Sequence, residues 1–353
     1  MAPKTQKKLF SIPSWSHHKY SLAIAIVLVL AQTPTIGGQS YRCPPSGVLD
    51  WQRAAESISP GGASSLTRLA VTECTIPSFD ALSSLSQLEE LTISNSQFVN
   101  ASIPRLKLKS LKLENNPRLE RVQFLNWGRN QMFVSLSFEN NERLILEDFM
   151  FNSFGTIGTL EIKNPTSSPN LPPYLFAKLG SDRKTPDLDP GAKLRIHKLV
   201  LDEVRLTQVP VNALKHVILL RTLILNNNEI TEISTPRAID QENLAELALS
   251  NNYIENIEPG ALVAPKLETL DLSVNNIAYM NPAAFSSCKG SLKSVNLEEN
   301  FMLTLYPELF EWERLQSLQL MMSKYTDSQW RCECGLYRLL KRVPMDGILR
   351  QIR

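Results

Sequence analysis

The chain has 353 residues, is 43% apolar, and carries 37 basic against 35 acidic side chains, a formal charge of +2. Lys4, Lys7, Lys8 and Lys19 precede residue 32 with no acid among them, so the remainder balances at 33 against 35, or −2, and gives no argument for a nucleic-acid partner. Four histidines and 14 glycines leave little from which to assemble a catalytic centre or a phosphate-binding loop.

In chain order, the first predicted element is a targeting segment. Residues 22–31 are ten consecutive apolar side chains, which suits the core of a signal peptide and is short for a membrane span. Residues 1–31 are therefore read as a signal peptide cleaved before Gln32, or before Gln39 if Gly38 is used. An uncleaved signal anchor is the alternative. Past residue 31 no apolar run approaches the length of a membrane helix, so any other span would lie downstream of Arg353. Residues 32–65 are an N-terminal capping segment containing Cys43, which precedes Pro44 and Pro45.

Residues 66–326 follow one pattern. Leu-x-x-Leu-x-Leu recurs about every 23 to 25 residues, most clearly at Leu220-x-x-Leu223-x-Leu225, Leu244-x-x-Leu247-x-Leu249 and Leu267-x-x-Leu270-x-Leu272. Eleven copies begin at Leu66, Leu88, Leu108, Phe133, Ile157, Ile196, Leu220, Leu244, Leu267, Leu292 and Leu315, and all 33 of their first, fourth and sixth positions are apolar. Leu-x-Leu alternation predicts a strand with one buried face, and the Asn, Pro or Gly after it predicts a turn. The ninth position is Asn116, Asn141, Asn228, Asn252, Asn275 or Asn300 in six copies, an amide able to donate to and accept from buried backbone. Pro165 and Val204 hold that slot in two others and break the series. This self-similarity resembles the leucine-rich repeat, and it implies an α/β repeat fold. The leucine-rich repeat solenoid expected has a curved parallel sheet on its concave face and irregular or short-helical structure on its convex face.

One spacing is anomalous: 39 residues separate Ile157 from Ile196, with the surplus near residues 180–191. That segment is polar and rich in Pro and Gly, a surface insertion with a binding loop as the alternative. At the far end, Trp330-x-Cys332-x-Cys334-x-Leu336-x-x-Leu339 resembles the cysteine-rich C-terminal cap of extracellular leucine-rich repeat proteins, the class of Toll-like receptor, Slit-like and adhesion-receptor ectodomains. The resemblance implies that Cys332 and Cys334 bridge to two further cysteines downstream, which this chain does not contain. Residues 327–353 are thus an incomplete cap, either truncated or degenerate. A zinc site on Cys332 and Cys334 would need two more ligands, so no metal and no cofactor is expected. Cys43 and Cys74 are the candidate disulfide pair, closing the N-terminal end of the core. Cys288 is read as a free buried thiol. Asn100-Ala-Ser102 is the unblocked glycosylation sequon.

Residues between the leucines are expected to face outward on the concave sheet. There we read 13 acidic side chains against seven basic ones, a local charge of −6. Glu114, Glu139, Asp202, Glu203, Glu246, Asp271, Glu298 and Glu299 are the candidate ligand-binding set. The implied partner is a protein, basic in charge, and not a nucleic acid. A solvated polar sheet is the alternative. The function expected is that of a secreted or cell-surface binding protein in adhesion, matrix or recognition. A receptor ectodomain fragment such as that of a Toll-like receptor is the second reading. A hydrolase using His197 with Asp202 and Glu203 is a reading of another class.

Overall fold

The computed structural model describes residues 40–44, 47–59, 63–128, 130–165, 170–179, 193–302 and 305–320. The signal-peptide and anchor readings, the insertion near 180–191, Met321, Met322, Cys332 and Cys334 lie outside the described residues.

All 33 apolar positions of the eleven copies are buried, none more than 7% exposed. Each Leu-x-Leu strand buries alternate side chains, and a single strand cannot cover them, so the strands stack in parallel over one continuous core. The main sheet runs in chain order through β1 (Ser40–Arg42), β2 (Arg68–Thr72), β3 (Glu90–Ser94), β4 (Ser110–Glu114), β5 (Gln131–Glu139) and β6 (Phe154–Lys163). It continues through β7 (Leu194–Asp202), β8 (Thr222–Ile224), β9 (Glu246–Ala248), β10 (Thr269–Asp271), β11 (Ser294–Asn296) and β12 (Ser317–Gln319). The register keeps repeat positions side by side: Leu223 faces Leu199 on one neighbour and Leu247 on the other. The molecule is a leucine-rich repeat solenoid.

The return halves are less irregular than the sequence suggests. Alongside 3-10 turns at Asp80–Ser84 and Pro307–Leu309 they carry two-stranded parallel ribbons. Asn100–Pro104 pairs with Arg121–Leu125, Glu232–Ile233 with Asn256–Ile257, and Ile239–Asp240 with Leu262–Val263. Such short strands leave no periodic trace in a sequence.

At the N-terminal end β1 adds a strand that the leucine pattern does not announce, pairing with β2 from Ser40–Ala70 to Arg42–Thr72. Cys43 and Cys74 are joined by a disulfide just beyond this pairing. Helix α1 (Trp51–Ile58) follows, capped by the Asp50 carboxylate, which accepts from the Gln52 and Arg53 amides at 3.0 and 3.1 Å. Its Trp51, Ala54 and Ala55 are buried, and Trp51 packs on Phe79, which packs on Phe98.

Each turn after a strand carries its eighth residue at the surface and sends the chain back into the core at the ninth, where buried amides and carbonyls need partners. The ninth-position side chain serves them, donating to carbonyls of its own repeat and reaching back to groups of the preceding one. Asn252 Oδ1 accepts from the Ile230 amide at 3.1 Å while its Nδ2 donates to the Leu225 carbonyl at 3.0 Å. Asn275 serves Ile254 and Leu249, and Asn300 serves Ile277 and Leu272, in the same way. In the first repeats the acceptor takes the ninth residue's own amide instead: Cys74 donates to Ser96 Oγ, Ser96 to Asn116 Oδ1, and Asn116 to Asn141 Oδ1. The series stops at Pro165 and resumes where Asn228 Oδ1 accepts from Val204 and Leu206. Across that gap β5, β6 and β7 lengthen to 9, 10 and 9 residues, and Phe133, Phe138, Phe151, Phe154 and Phe176 pack beneath them. The close approach of β5 and β6 requires Gly158, because a Cβ there would lie 2.6 Å from the Val134 carbonyl oxygen.

The eighth position carries a constraint that sequence reading missed. In all ten copies whose turn is described it is left-handed, with φ between 49° and 57°. Asn95, Asn115, Asn140, Asn164, Asn227 and Asn251 suit that conformation, whereas Glu73, Glu203, Val274 and Glu299 do not. The repeated Asn before the ladder residue was the available signal.

Two substitutions test this account. Asn252→Ala orphans the buried Ile230 amide and removes one of the two side-chain donors to the Leu225 carbonyl, which keeps Asn228 Nδ2, and is expected to cost about 2 kcal/mol in a urea unfolding experiment. Val274→Asn replaces a β-branched residue at positive φ and is expected to raise stability by about 1 kcal/mol in the same measurement.

Candidate functional site

Pleating turns the third, fifth and seventh positions of each strand to the open face of the main sheet. They form three rows, aligned by the register: Lys198, Thr222 and Glu246 in the first, Val200, Ile224 and Ala248 in the second, and Asp202 with its neighbours in the third. Strands about 4.8 Å apart place equivalent side chains within reach of one another, so the charge each row carries depends on how neighbours pair.

Over the N-terminal half the carboxylates are neutralised. Glu73 pairs with Arg42, Glu90 with Arg68 at 3.1 Å, and Glu89 with Lys109 at 2.7 Å. Glu114 lies 3.0 Å from Lys112, and Glu139 lies 3.4 Å from Lys112 and 3.7 Å from Lys163, which also meets Glu161 at 3.3 Å. Burial would raise the Glu139 carboxyl, but the Ser137 hydroxyl at 2.8 Å with Lys163 and Lys112 outweighs it and holds the group below its ordinary value. Burial likewise works against the Lys112 ammonium, and Glu114 and Glu139 together hold it above its ordinary value. Glu114 and Glu139 are thus members of an ion-pair network and not the free acidic side chains that the sequence suggested.

The C-terminal half differs. Asp202, Glu203, Glu246, Asp271, Glu298 and Glu299 have no Lys or Arg ion pair among the described residues, and Glu268 alone is paired there, with Lys293 at 2.7 Å. Asp202 accepts from Asn227 Nδ2 at 2.7 Å, Glu246 from the Thr222 hydroxyl at 3.2 Å, and Asp271 from the Ser273 hydroxyl at 2.7 Å. These neutral bonds orient the carboxylates and leave their charge standing. Glu203 and Glu299 sit in the left-handed turns, at the rim and not on the strands. Between the rows lies a small apolar strip of Val200, Ile224 and Ala248. Ala248 is 8% exposed, so its place on the open face does not make it the solvent-facing residue expected from the pattern.

The remaining candidates are placed separately. Asn100 opens a ribbon strand and is exposed. Cys288 is buried and free, its thiol pushed up to about 12 by burial, which makes it a poor nucleophile. His197 and Asp202 lie five residues apart along β7, about 16 Å of strand, so the structure does not bring the hydrolase trio together. His216 Nε2 is buried with no hydrogen-bond partner among the described residues, and burial first, then Lys215 and Lys193, hold the imidazole below its ordinary value. No helix among the described residues is long and apolar enough to cross a membrane.

Residues 242–291 match the leucine rich repeat family model. The chain is 26% identical over 245 residues to chaoptin of Drosophila melanogaster, covering 67% of this chain and 17% of that one. It is 29% identical over 294 residues to podocan of Mus musculus, covering 78% of this chain and 44% of podocan. To leucine-rich repeat-containing protein 3 of Danio rerio it is 34% identical over 101 residues, or 28% of this chain and 36% of that one. The chain therefore spans less than half the length of these relatives. It resembles extracellular leucine-rich repeat proteins.

The ion-pair network is testable by pH. Lys112→Met is expected to lower stability by up to about 1 kcal/mol at pH 7, the upper range for partly exposed pairs. Glu139 is depressed in the folded state, so its contribution is complete above the ordinary value of 4.5 and fades as the pH falls through the folded value. Urea unfolding at pH 7 and pH 3 should show the difference between variant and parent closing at the lower pH.

Proposed function

We propose that this solenoid is a secreted or cell-surface protein that binds a basic protein partner on the C-terminal half of its concave face. The observation that carries the reading is the uneven pairing of charge. Carboxylates on β2 to β6 are matched by Lys or Arg, whereas Asp202, Glu246, Asp271 and Glu298 are not. Lys198 in the first row has no ion pair among the described residues either, so the unmatched charge is mixed in sign, but carboxylates are in excess and that excess steers a basic partner. In the apolar row only Ile224 keeps partial exposure, Val200 and Ala248 being buried, so charge carries the reading and apolar contact adds little. Eleven strands about 4.8 Å apart span roughly 50 Å, ample for a standard interface of about 800 Å² per partner. The Cys43–Cys74 disulfide and the likeness to extracellular relatives support an oxidising compartment. A glycan on exposed Asn100 would stand on a ribbon strand, away from these rows.

Screening the secreted chain against a library of ectodomains, at low and physiological salt, tests the proposal. Hits on the parent should weaken on raising salt and lose about tenfold or more in association rate in the Asp202→Lys, Glu246→Lys, Asp271→Lys variant. The matched control reverses Lys215 and Lys266 on the return side. Binding that survives the first variant and fails in the control would place the interface on the convex side and overturn the reading.

A further inference from the structure

The flank of the C-terminal repeats carries a surface that the concave-face reading does not use. Beyond the strands, where the chain turns away from the sheet, Tyr253, Val274, Tyr279 and Phe301 are exposed side chains of successive repeats. Tyr279 is 50% and Phe301 44% exposed, and both border a groove of about 770 Å³. Apart from Ala278 the other groove residues are polar or acidic, Glu255, Glu258, Asn256 and Asn281 among them, and no Lys or Arg lines it among the described residues. Glu255 and Glu258 have no ion pair among the described residues, and Asn256 Nδ2 donates to Glu258 Oε1 at 2.5 Å, fixing that carboxylate.

The aromatic wall is held in place. Tyr279 meets Tyr306 edge-on, ring centroids 5.5 Å apart at 74°, and Tyr306 in turn packs against the buried core. A half-exposed ring packed on a neighbour loses less freedom on binding than a free one and keeps surface open to a ligand. Aromatic faces beside unmatched carboxylates, in a groove with no competing cation, complement a flat cationic group. Guanidinium fits better than ammonium, because it stacks on rings and forks onto a carboxylate at once.

We infer that the Tyr279–Phe301 groove seats an arginine side chain of an extended segment of a partner protein. The inference does not rest on the concave-face reading, since it uses different residues on a different surface. Two fluorescein-labelled peptides, (Gly-Arg)5 and (Gly-citrulline)5, serve as probes of the secreted chain by fluorescence anisotropy. Citrulline keeps the shape and planarity of arginine and removes its charge. The arginine peptide is expected to bind and the citrulline peptide to bind at least about tenfold more weakly. Tyr279→Ala with Phe301→Ala should weaken the arginine peptide about fivefold or more, Tyr279→Phe should leave it unchanged, and Glu258→Gln should weaken it in part. Both aromatic side chains face solvent, and unchanged secretion and thermal melts of the variants establish that folding is intact.

Equal binding of the two peptides would overturn the proposal. So would arginine binding that survives the aromatic double variant and disappears in the Asp202→Lys, Glu246→Lys, Asp271→Lys chain; that result would leave the concave-face proposal standing. Binding of neutral oligosaccharides, abolished by Tyr279→Ala while the arginine peptide is unaffected, would assign the groove to a glycan instead.

Discussion

The structure depends on a buried turn. Each described repeat turns at the end of its strand and re-enters the core at once, leaving backbone amides and carbonyls there where water cannot reach them. Leaving such groups unpaired costs about as much as several apolar contacts gain. A short side chain carrying both a donor and an acceptor meets this demand, which is why Asn recurs at the ninth position and why Asn116, Asn141, Asn228, Asn252, Asn275 and Asn300 are all buried. The leucines then supply the apolar bulk, but the amide decides how one repeat seats on the next. The left-handed residue just before it, from Glu73 to Glu299, points the amide into place.

Where the amide is missing, other contacts take its place. Pro165 has no donor, and Val204 offers none from its side chain, so two successive junctions of the solenoid lack the ladder. Those junctions join the longest strands of the sheet, over packed aromatic rings such as Phe133 and Phe154 at 5.1 Å and Phe151 and Phe176 at 5.9 Å. More backbone pairing and larger side chains replace the side-chain relay. The glycine at 158 belongs to the same solution, because the widened strands approach too closely for any side chain there.

The repeat fold was legible because its signal is periodic and each apolar position reads independently of the rest. The break at Pro165 was legible for the same reason, as a wrong residue in a known slot. The candidate site was only half legible. That Glu114 and Asp271 both face outward follows from alternation, but that one is matched by Lys112 and the other is not follows from which repeats are neighbours and how their side chains reach. Ala248 shows a related limit: it faces outward, and its larger neighbours still cover it. The flank groove was illegible, because the return halves vary in length and Tyr279 and Phe301 occupy different positions within their repeats.

The ladder also has a direction. Ser96, Asn116, Asn141, Asn228, Asn252, Asn275 and Asn300 each serve the turn of the repeat before them. A repeat is therefore chemically complete only when its successor has been laid down, while its own side chain finishes the one already present. A ribosome delivers repeats in that same sequence, N-terminal first. Growth of the chain thus closes each open turn in order of synthesis, and a nascent chain exposes one unfinished junction at a time at its growing tip. Unravelling meets the asymmetry from the other side: detaching the last repeat orphans backbone groups of the turn beneath it, whereas detaching the first takes from Ser96 Oγ only the donor it served.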